Sequence, residues 1–370
     1  MRVAFNALHV VPGETGGSEL YARRLIEELA TIEGLELTVF VSREGRDETW
    51  PEGTRVVGLP VSARSRAARV IAEQTVLPAT VARSGADVLH NLFTTAPAAA
   101  GVPQVTTIHD LIYKHFPETH AGLLSYGMRV LVPLAARRSR RIIAVSEATK
   151  RDIVEFLGVP EERIDVIYEG PGMAPEVEPT AEQALRERFE LGDSQIVLTV
   201  SAKRPHKNLE RLFEAFAGLD SDAVLVVPGY ETPFEAELRA KATATAASRI
   251  RFTGWLDDRD LEGLYRAAVC LVFPSLAEGF GLPVLEALGR GLPVACSNVS
   301  ALPEVAGEAA LYFDPLETGA IRRAIEQLLD EPDLRERLAS EGRERARAFT
   351  WESTARRTLE TYRRAIGDVG

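Results

Sequence analysis

Val269-Cys270-Leu271-Val272-Phe273-Pro274-Ser275-Leu276-Ala277-Glu278-Gly279-Phe280-Gly281-Leu282-Pro283-Val284-Leu285-Glu286-Ala287 changes character twice within nineteen residues. Its first five residues are an unbroken apolar run, the pattern of a strand buried on both faces of a parallel sheet. Gly279 and Gly281 then let the backbone approach a ligand closely, and Pro283 suits the first turn of a helix. Strand, glycine-bearing loop and helix make half of a βαβ unit, and sheets of such units bind ligands at the carboxyl ends of their strands. Amides at such a helix start form a phosphate site. Glu278 falls in the loop and Glu286 about one turn inside the helix, and each carboxylate can accept hydrogen bonds from the neighbouring hydroxyls of a sugar or ribose. A helix cap plus a solvated glutamate would explain either residue alone, but not both with Gly-Phe-Gly between them.

Outward from this stretch the same alternation runs along the chain. In the first half, strands are expected near Val3–Ala7, Leu37–Val41, Val56–Leu59, Val88–His90, Val105–Ile108, Ile142–Val145 and Val166–Tyr168. Helical stretches between them include Glu19–Ala30, Arg66–Val81 and Glu147–Leu157. Gly170–Thr180, with three prolines and two glycines, reads as a linker. A second series follows at Ile196–Val200, Val224–Val227, Ile250–Phe252, Val269–Phe273, Val294–Cys296 and Leu311–Phe313, and the chain ends in charged helices at Thr318–Leu329, Asp333–Ala348 and Trp351–Ala365. At 370 residues the chain exceeds one ordinary core. The expected class is α/β, with two Rossmann-like, doubly wound parallel-sheet domains at residues 1–172 and 173–350 and a last helical segment at 351–370.

The hydrophobic fraction of 45% with 26% charged residues is that of a globular protein. A net charge of -11 argues against nucleic acid as a partner. The charge is uneven: residues 62–141 hold 10 basic against 4 acidic residues. Within that stretch Arg129–Arg141 is apolar and then basic, and Ser62–Arg69 adds three arginines. The stretch suits either an anionic acceptor or membrane surface, or an ordinary solvated helix face. Residues 1–8 read as a strand rather than a signal peptide, and no apolar run reaches 18 residues. A cytoplasmic protein is therefore expected, with peripheral contact at the inner membrane face if the basic stretch docks. Cys270 and Cys296 lie in apolar runs and read as small core residues.

Other post-strand loops carry chemistry. Val200-Ser201-Ala202-Lys203-Arg204-Pro205-His206-Lys207-Asn208-Leu209 gathers three cations, which would stabilise the charge on a departing diphosphate. His109-Asp110 follows the strand Val105–Ile108; the remaining first-half histidines, His9, His90, His115 and His120, show no metal-ligand spacing. Gly16 and Gly17 precede a helix, where Glu19 suits the positive end of the helix dipole. Asp257-Asp258-Arg259-Asp260 has the look of an Asp-x-Asp metal motif, but its place before a helix is explained by capping.

Phe273–Pro293 resembles the signature of the group 1 (family 4) retaining glycosyltransferases, which have the GT-B fold. The likeness extends through Ala301-Leu302-Pro303-Glu304-Val305-Ala306-Gly307, Phe252-Thr253-Gly254-Trp255-Leu256, Gly16-Gly17-Ser18-Glu19, Ile108-His109-Asp110-Leu111 and Ala144-Val145-Ser146-Glu147, so it spans nearly the whole chain. The resemblance implies two domains facing across a cleft, with the last helix crossing back to the first domain as part of a hinge. It implies that Glu278 holds the transferred sugar, that Glu286 holds the nucleotide ribose, and that amides of Phe280, Gly281 and Leu282 meet sugar hydroxyls and phosphate. Lys207 matches the family's lysine beside the diphosphate. The usual arginine falls on Ala202, a departure that leaves Arg204 or Lys203 to substitute. His109 is placed by the reacting sugar, Gly16 and Gly17 by the diphosphate and acceptor, and Gly254 with Trp255, Gly229 and Tyr230 at the nucleobase; Trp255 in the core is the alternative.

The activity implied is transfer of a hexose from a nucleoside-diphosphate sugar, GDP-mannose first and a UDP-sugar next, to a hydroxyl acceptor with retention, in polysaccharide or glycolipid assembly. The pattern Pro205-His206-Lys207-Asn208-Leu209 looks most like members that assemble surface polysaccharides. The resemblance also implies front-face attack, with no carboxylate acting as a covalent nucleophile. Neither a metal nor a cofactor is expected, the nucleotide sugar being a substrate. The rivals are another GT-B enzyme, such as a nucleotide-sugar epimerase or a phosphorylase, and a non-catalytic sugar-nucleotide-binding protein.

Overall fold

Strands buried on both faces need apolar side chains in both directions, and such runs form the centres of the two sheets, of seven and six strands among the described residues, in the computed structural model. Residues 1–117, 123–172, 177–246 and 249–367 are described; His120 and residues 173–176 of the expected linker lie outside them. The chain divides into two compact units, Met1–Gly170 with Phe349–Gly370, and Pro171–Ala348.

The first unit holds β1 (Arg2–Ala7), β2 (Glu36–Val41), β3 (Thr54–Gly58), β4 (Val88–Asn91), β5 (Gln104–Ile108), β6 (Arg141–Ala144) and β7 (Ile164–Val166). They pair in parallel in the order 3-2-1-4-5-6-7. On β1, Val3, Phe5 and Ala7 pack with the helices Gly17–Ala30 and Trp351–Ile366, while Ala4 packs with Leu77 and Val81 on the opposite face. The last helix starts where the Thr350 side chain accepts from Ser353 N at 3.1 Å. It buries Trp351, Ala355, Leu359 and Tyr362, at three- and four-residue intervals, in the same core as Phe5 and Tyr21.

Two expectations here need correction. Arg66–Val81 is not one helix but two, Arg66–Gln74 and Val76–Ser84, broken at Thr75. Pro78 has no N–H to donate to the Gln74 carbonyl, and its ring crowds that carbonyl. The seventh strand lies at 164–166 rather than 166–168, because its register pairs Ile143 with Asp165, and Asp165 takes both prongs of Arg141 at 2.9 and 2.6 Å.

The second unit holds β8 (Ile196–Leu198), β9 (Val224–Pro228), β10 (Ile250–Gly254), β11 (Cys270–Phe273), β12 (Val294–Ser297) and β13 (Ala310–Phe313), parallel in the order 10-9-8-11-12-13. One core joins Val197, Leu225 and Val272 to Phe213 and Phe216 of the helix Leu209–Ala217 and to Ile321, Ile325 and Leu328 of the helix Thr318–Asp330. Cys270 and Cys296 are buried in β11 and β12, and burial pushes the Cys270 thiol up to about 12. The winding is the same in both units. Strand order reverses between β1 and β4 in the first and between β8 and β11 in the second, and such reversal points are where doubly wound sheets hold ligands. Among the described residues, no helix is long and apolar enough to cross a membrane.

Candidate functional site

In the second unit the loops after β8 and β11 leave neighbouring strands at the reversal point and are stitched together. Leu276 N donates to His206 O at 2.8 Å, and Asn208 Nδ2 donates to Pro274 O at 3.1 Å and to Pro315 O at 2.8 Å. Asn208 holds φ 58°, a left-handed conformation asparagine tolerates better than most residues, and this turns its amide across the second loop. The stitched loops bring Lys207 and Glu278 together: Lys207 Nζ donates to Glu278 Oε1 at 2.5 Å, with the two side chains 15% and 10% exposed. The ammonium also lies 5.4 Å from the Phe273 ring centre. Ser300 fixes the backbone of Glu278 from the far side, accepting from Glu278 N at 3.1 Å and donating to Glu278 O at 2.6 Å. Ser300 has φ 58°, a conformation that costs free energy and persists only where the surroundings hold it.

Glu286 lies on the helix Leu282–Arg290, which starts from Gly281 at φ 112°. Phe280 is buried beside that start. The buried Tyr265 hydroxyl donates to Glu286 Oε2 at 2.8 Å. Burial first, then the charge of Glu286, push the Tyr265 phenol far above its ordinary range, so it remains a donor. Arg290 holds this pair from below, 4.8 Å from the Tyr265 ring centre, while its Nε donates to Glu262 Oε2 at 2.6 Å. Leu264-Tyr265 belongs to the stretch that resembles the family, but its place beneath Glu286 and that of Ser300 behind Glu278 come only from the packed structure.

Of the cations after β8, Lys203 turns inward. It is buried, its ammonium donates to Gly229 O, and burial pulls its pKa down to about 8. It anchors the loop after β9, where a Cβ on Gly229 would lie 2.2 Å from Ser201 O. Arg204 stays exposed at the loop surface. Beside Gly229, Tyr230 stacks on Trp255 with ring centres 4.2 Å apart and planes 23° apart. Trp255 is 59% exposed, which removes the alternative of a core tryptophan. Gly254 precedes it at φ 73°. Asp257 caps the next helix, accepting from Asp260 N at 2.9 Å, and Asp260 accepts from Thr180 at 2.7 Å. Among the described residues no group of three or more His, Cys, Asp or Glu side chains is placed to hold a metal ion.

In the first unit His109 follows β5. Its Nδ1 lies 3.1 Å from Glu169 Oε1 and its Nε2 2.9 Å from Leu92 O. Both nitrogens face acceptors, an arrangement that suits the protonated ring. Burial, the largest single influence, disfavours that charge, but Glu169, the Leu92 carbonyl and Asp110 together outweigh it and the pKa rises above its ordinary value. Tyr21 meets the His109 ring edge-on at 4.8 Å. Glu169 was not foreseen, sixty residues away in a different loop. Gly16, φ 67°, starts the helix Gly17–Ala30. Glu19 accepts from Gly13 N at 3.1 Å and pairs with Arg23 at 2.8 Å, so it closes the loop after β1. In the basic stretch, Arg129, Arg137, Arg138 and Arg140 are exposed, as is Val130.

Residues 15–170 match the family model "Glycosyltransferase Family 4", and residues 181–345 match "Glycosyl transferases group 1". The chain is 32% identical over 273 residues to the O-antigen chain mannosyltransferase B of Escherichia coli, covering 70% of each protein. It is 30% identical over 287 residues to the serotype-specific mannosyltransferase WbdA of Escherichia coli, covering 74% of this chain and 35% of that protein, so it spans about a third of WbdA. Among solved structures, Anabaena HepE in complex with UDP-glucose superposes with a TM-score of 0.76 at 20% identity, covering 98% of this chain and 99% of that one. The two parallel-sheet α/β units thus have the GT-B fold.

Proposed function

This chain belongs to the group 1 glycosyl transferases, and from that premise we propose that it transfers mannose from GDP-mannose to a hydroxyl of a growing glycan with retention of configuration. A UDP-sugar is the second choice of donor. The Lys207–Glu278 pair at the β8–β11 reversal point carries the reading. A diphosphate arriving beside Lys207 competes with Glu278 for the ammonium. Exchange of partners leaves Lys207 on the diphosphate and Glu278 on the sugar hydroxyls, so one salt bridge is traded for contacts to both halves of the donor. As the glycosidic bond breaks, negative charge grows on the diphosphate, and a cation fixed there favours the transition state over the ground state.

Glu286, steadied by Tyr265, takes the ribose hydroxyls. Phe280, Gly281 and Leu282 meet sugar and phosphate at the helix start, and Arg204 adds positive charge from the surface. The base lies against Gly254 and the Tyr230–Trp255 stack. His109 has both ring nitrogens engaged, so it contributes its charge and backbone rather than a free ring nitrogen. The acceptor hydroxyl attacks the face the diphosphate leaves, and a departing phosphate oxygen takes its proton. The mannosyltransferase names of the relatives support the sugar and the role in surface-glycan assembly, and the UDP-glucose complex of HepE supports a nucleotide-sugar donor. The exposed arginines of 129–141 supply a face for a membrane carrying a lipid-linked acceptor.

A thermal-shift panel of GDP, UDP, ADP and dTDP with their sugars tests the donor, since a ligand bound to the native state raises its stability. GDP and GDP-mannose should shift unfolding, and Glu286→Ala should abolish the shift. NMR of the product linkage tests retention: an inverted anomer would end the front-face reading.

A further inference from the structure

At the reversal point of the first sheet, polar side chains converge that the donor chemistry does not use. Glu73, on the helix Arg66–Gln74, is 1% exposed. Its Oε1 accepts from Asn6 Nδ2 at 2.8 Å and from Thr95 Oγ1 at 3.0 Å, while its Oε2 has no partner among the described residues. His9, two residues after β1, has Nε2 3.5 Å from Thr95 Oγ1 and an enclosed Nδ1 with no partner. Arg69, one turn before Glu73, donates through Nη1 to Ala63 O at 3.0 Å and leaves an enclosed Nε without a partner. Phe93, from the loop after β4, lies flat against the His9 ring at 5.2 Å and 17°. Arg66 is exposed at the edge of this group.

Three unmatched polar atoms in one cluster are costly unless water, an ion or a ligand completes them. Their chemistry selects the ligand. Arg69 Nε can only donate. The enclosed imidazole of His9 is neutral, because burial and the two arginines hold its pKa far below the ordinary value, so Nδ1 either accepts or donates. Glu73 Oε2 accepts when ionised and donates when protonated, and burial raises its pKa. A hydroxyl both donates and accepts, so neighbouring hydroxyls complete all three atoms. A phosphate would serve Arg69 but would set its negative charge against an ionised Glu73. We infer that His9, Arg69 and Glu73 form the acceptor subsite and that it takes neighbouring hydroxyls of a neutral sugar, with Phe93 and His9 as its flat wall. The acceptor role rests on the reading of this chain as a transferase; the hydroxyl chemistry does not.

Saturation-transfer NMR on the full chain, with methyl α-D-mannopyranoside and methyl α-D-glucopyranoside as probes and inorganic phosphate as competitor, reads this site without turnover. Binding of a glycoside by the wild type, weakened about tenfold or more in Glu73→Gln and Arg69→Gln and indifferent to phosphate, supports the assignment. Failure of the wild type to bind either glycoside, unchanged binding in both variants, or displacement by phosphate overturns it. Should Glu73→Gln not fold, Arg69→Gln decides, because its half-buried side chain lies nearer the surface. With a donor identified, the glycoside KM of either variant should rise by the same factor while hydrolysis of the donor by water keeps its wild-type rate. A parallel fall in hydrolysis would instead mark the cluster as structural. A wild type that binds glycoside but no nucleotide would sink the donor reading alone.

Discussion

The two sheets wind in the same order, yet they place their charges differently. In the second unit the ion pair Lys207–Glu278 sits in loops beyond the strand ends, fastened from behind by Asn208 and Ser300 and still in touch with solvent. In the first unit the polar groups run through the interior. His90 on β4 bonds Tyr362 of the last helix at 2.6 Å and Thr107 on β5 at 2.8 Å, and Thr107 bonds Tyr21 at 3.0 Å. One topology therefore serves two purposes: a loop-borne pair that a ligand can exchange, and an interior network that locks a distant helix onto its sheet.

The sharpest way to break that contrast is to remove the exchangeable cation. Lys207→Met should lower transfer by about a thousandfold, the scale of losing one preorganised group at a developing charge. The fold should persist at about 25 °C but with lower stability, because removing Lys207 leaves the largely buried Glu278 carboxylate without its cation. Steady-state kinetics with circular dichroism on one preparation checks both. A variant that unfolds while keeping its turnover per folded molecule would make the pair structural and erase the difference between the units.

The framework beneath the second site is tested at Gly229. Its φ is 129°, and a Cβ would meet the Ser201 backbone at 2.2 Å, where only the chain itself can give way. Gly229→Ala should cost about 3 kcal/mol, visible as a lower denaturant midpoint. A neutral result would mean that the loop after β9 rearranges freely and that Lys203 does not anchor it.

How much of this was legible beforehand follows from the range of each interaction. The strands were readable because parallel strands must be apolar on both faces, and Glu278 and Glu286 because loop and helix are contiguous in sequence. Asn208 carried a usable signal, since asparagine favours left-handed turns, and Pro78 carried one for the break at Thr75. Glu169 carried none: it reaches His109 only because β5, β6 and β7 lie side by side. Nor does the dipeptide Lys203-Arg204 say which cation turns inward; Gly229, a strand away, decides.

The interior network should declare itself through pH. Burial holds His90 at about 3, against about 6.5 in an unfolded chain. Between those values the unfolded chain binds a proton that the folded one refuses, so stability falls as pH drops through this window. The limit is about 1.4 kcal/mol per pH unit. His109 has its pKa raised, and its contribution is complete below the unfolded value and is lost only as pH rises through the folded one. Hydrogen exchange at β4 and β5 amides, compared between wild type and His90→Gln, isolates the acid-side slope. His9 has the same sign, so the slope should shrink rather than vanish. An unchanged slope would show that His90 is not held neutral.

The smallest effect tests how finely the second site is aimed. Tyr265→Phe removes one hydroxyl from beneath Glu286 and leaves the ring to stack with Arg290. Nucleoside diphosphate affinity should fall about tenfold, the cost of a carboxylate that loses its orienting donor. The loss should be absent with a 2′,3′-dideoxy nucleotide, which offers Glu286 no ribose hydroxyls to hold. Calorimetric titration of the two ligands into the two proteins closes the cycle. Equal losses for both nucleotides would mean that Tyr265 acts through packing and does not aim Glu286 at the ribose.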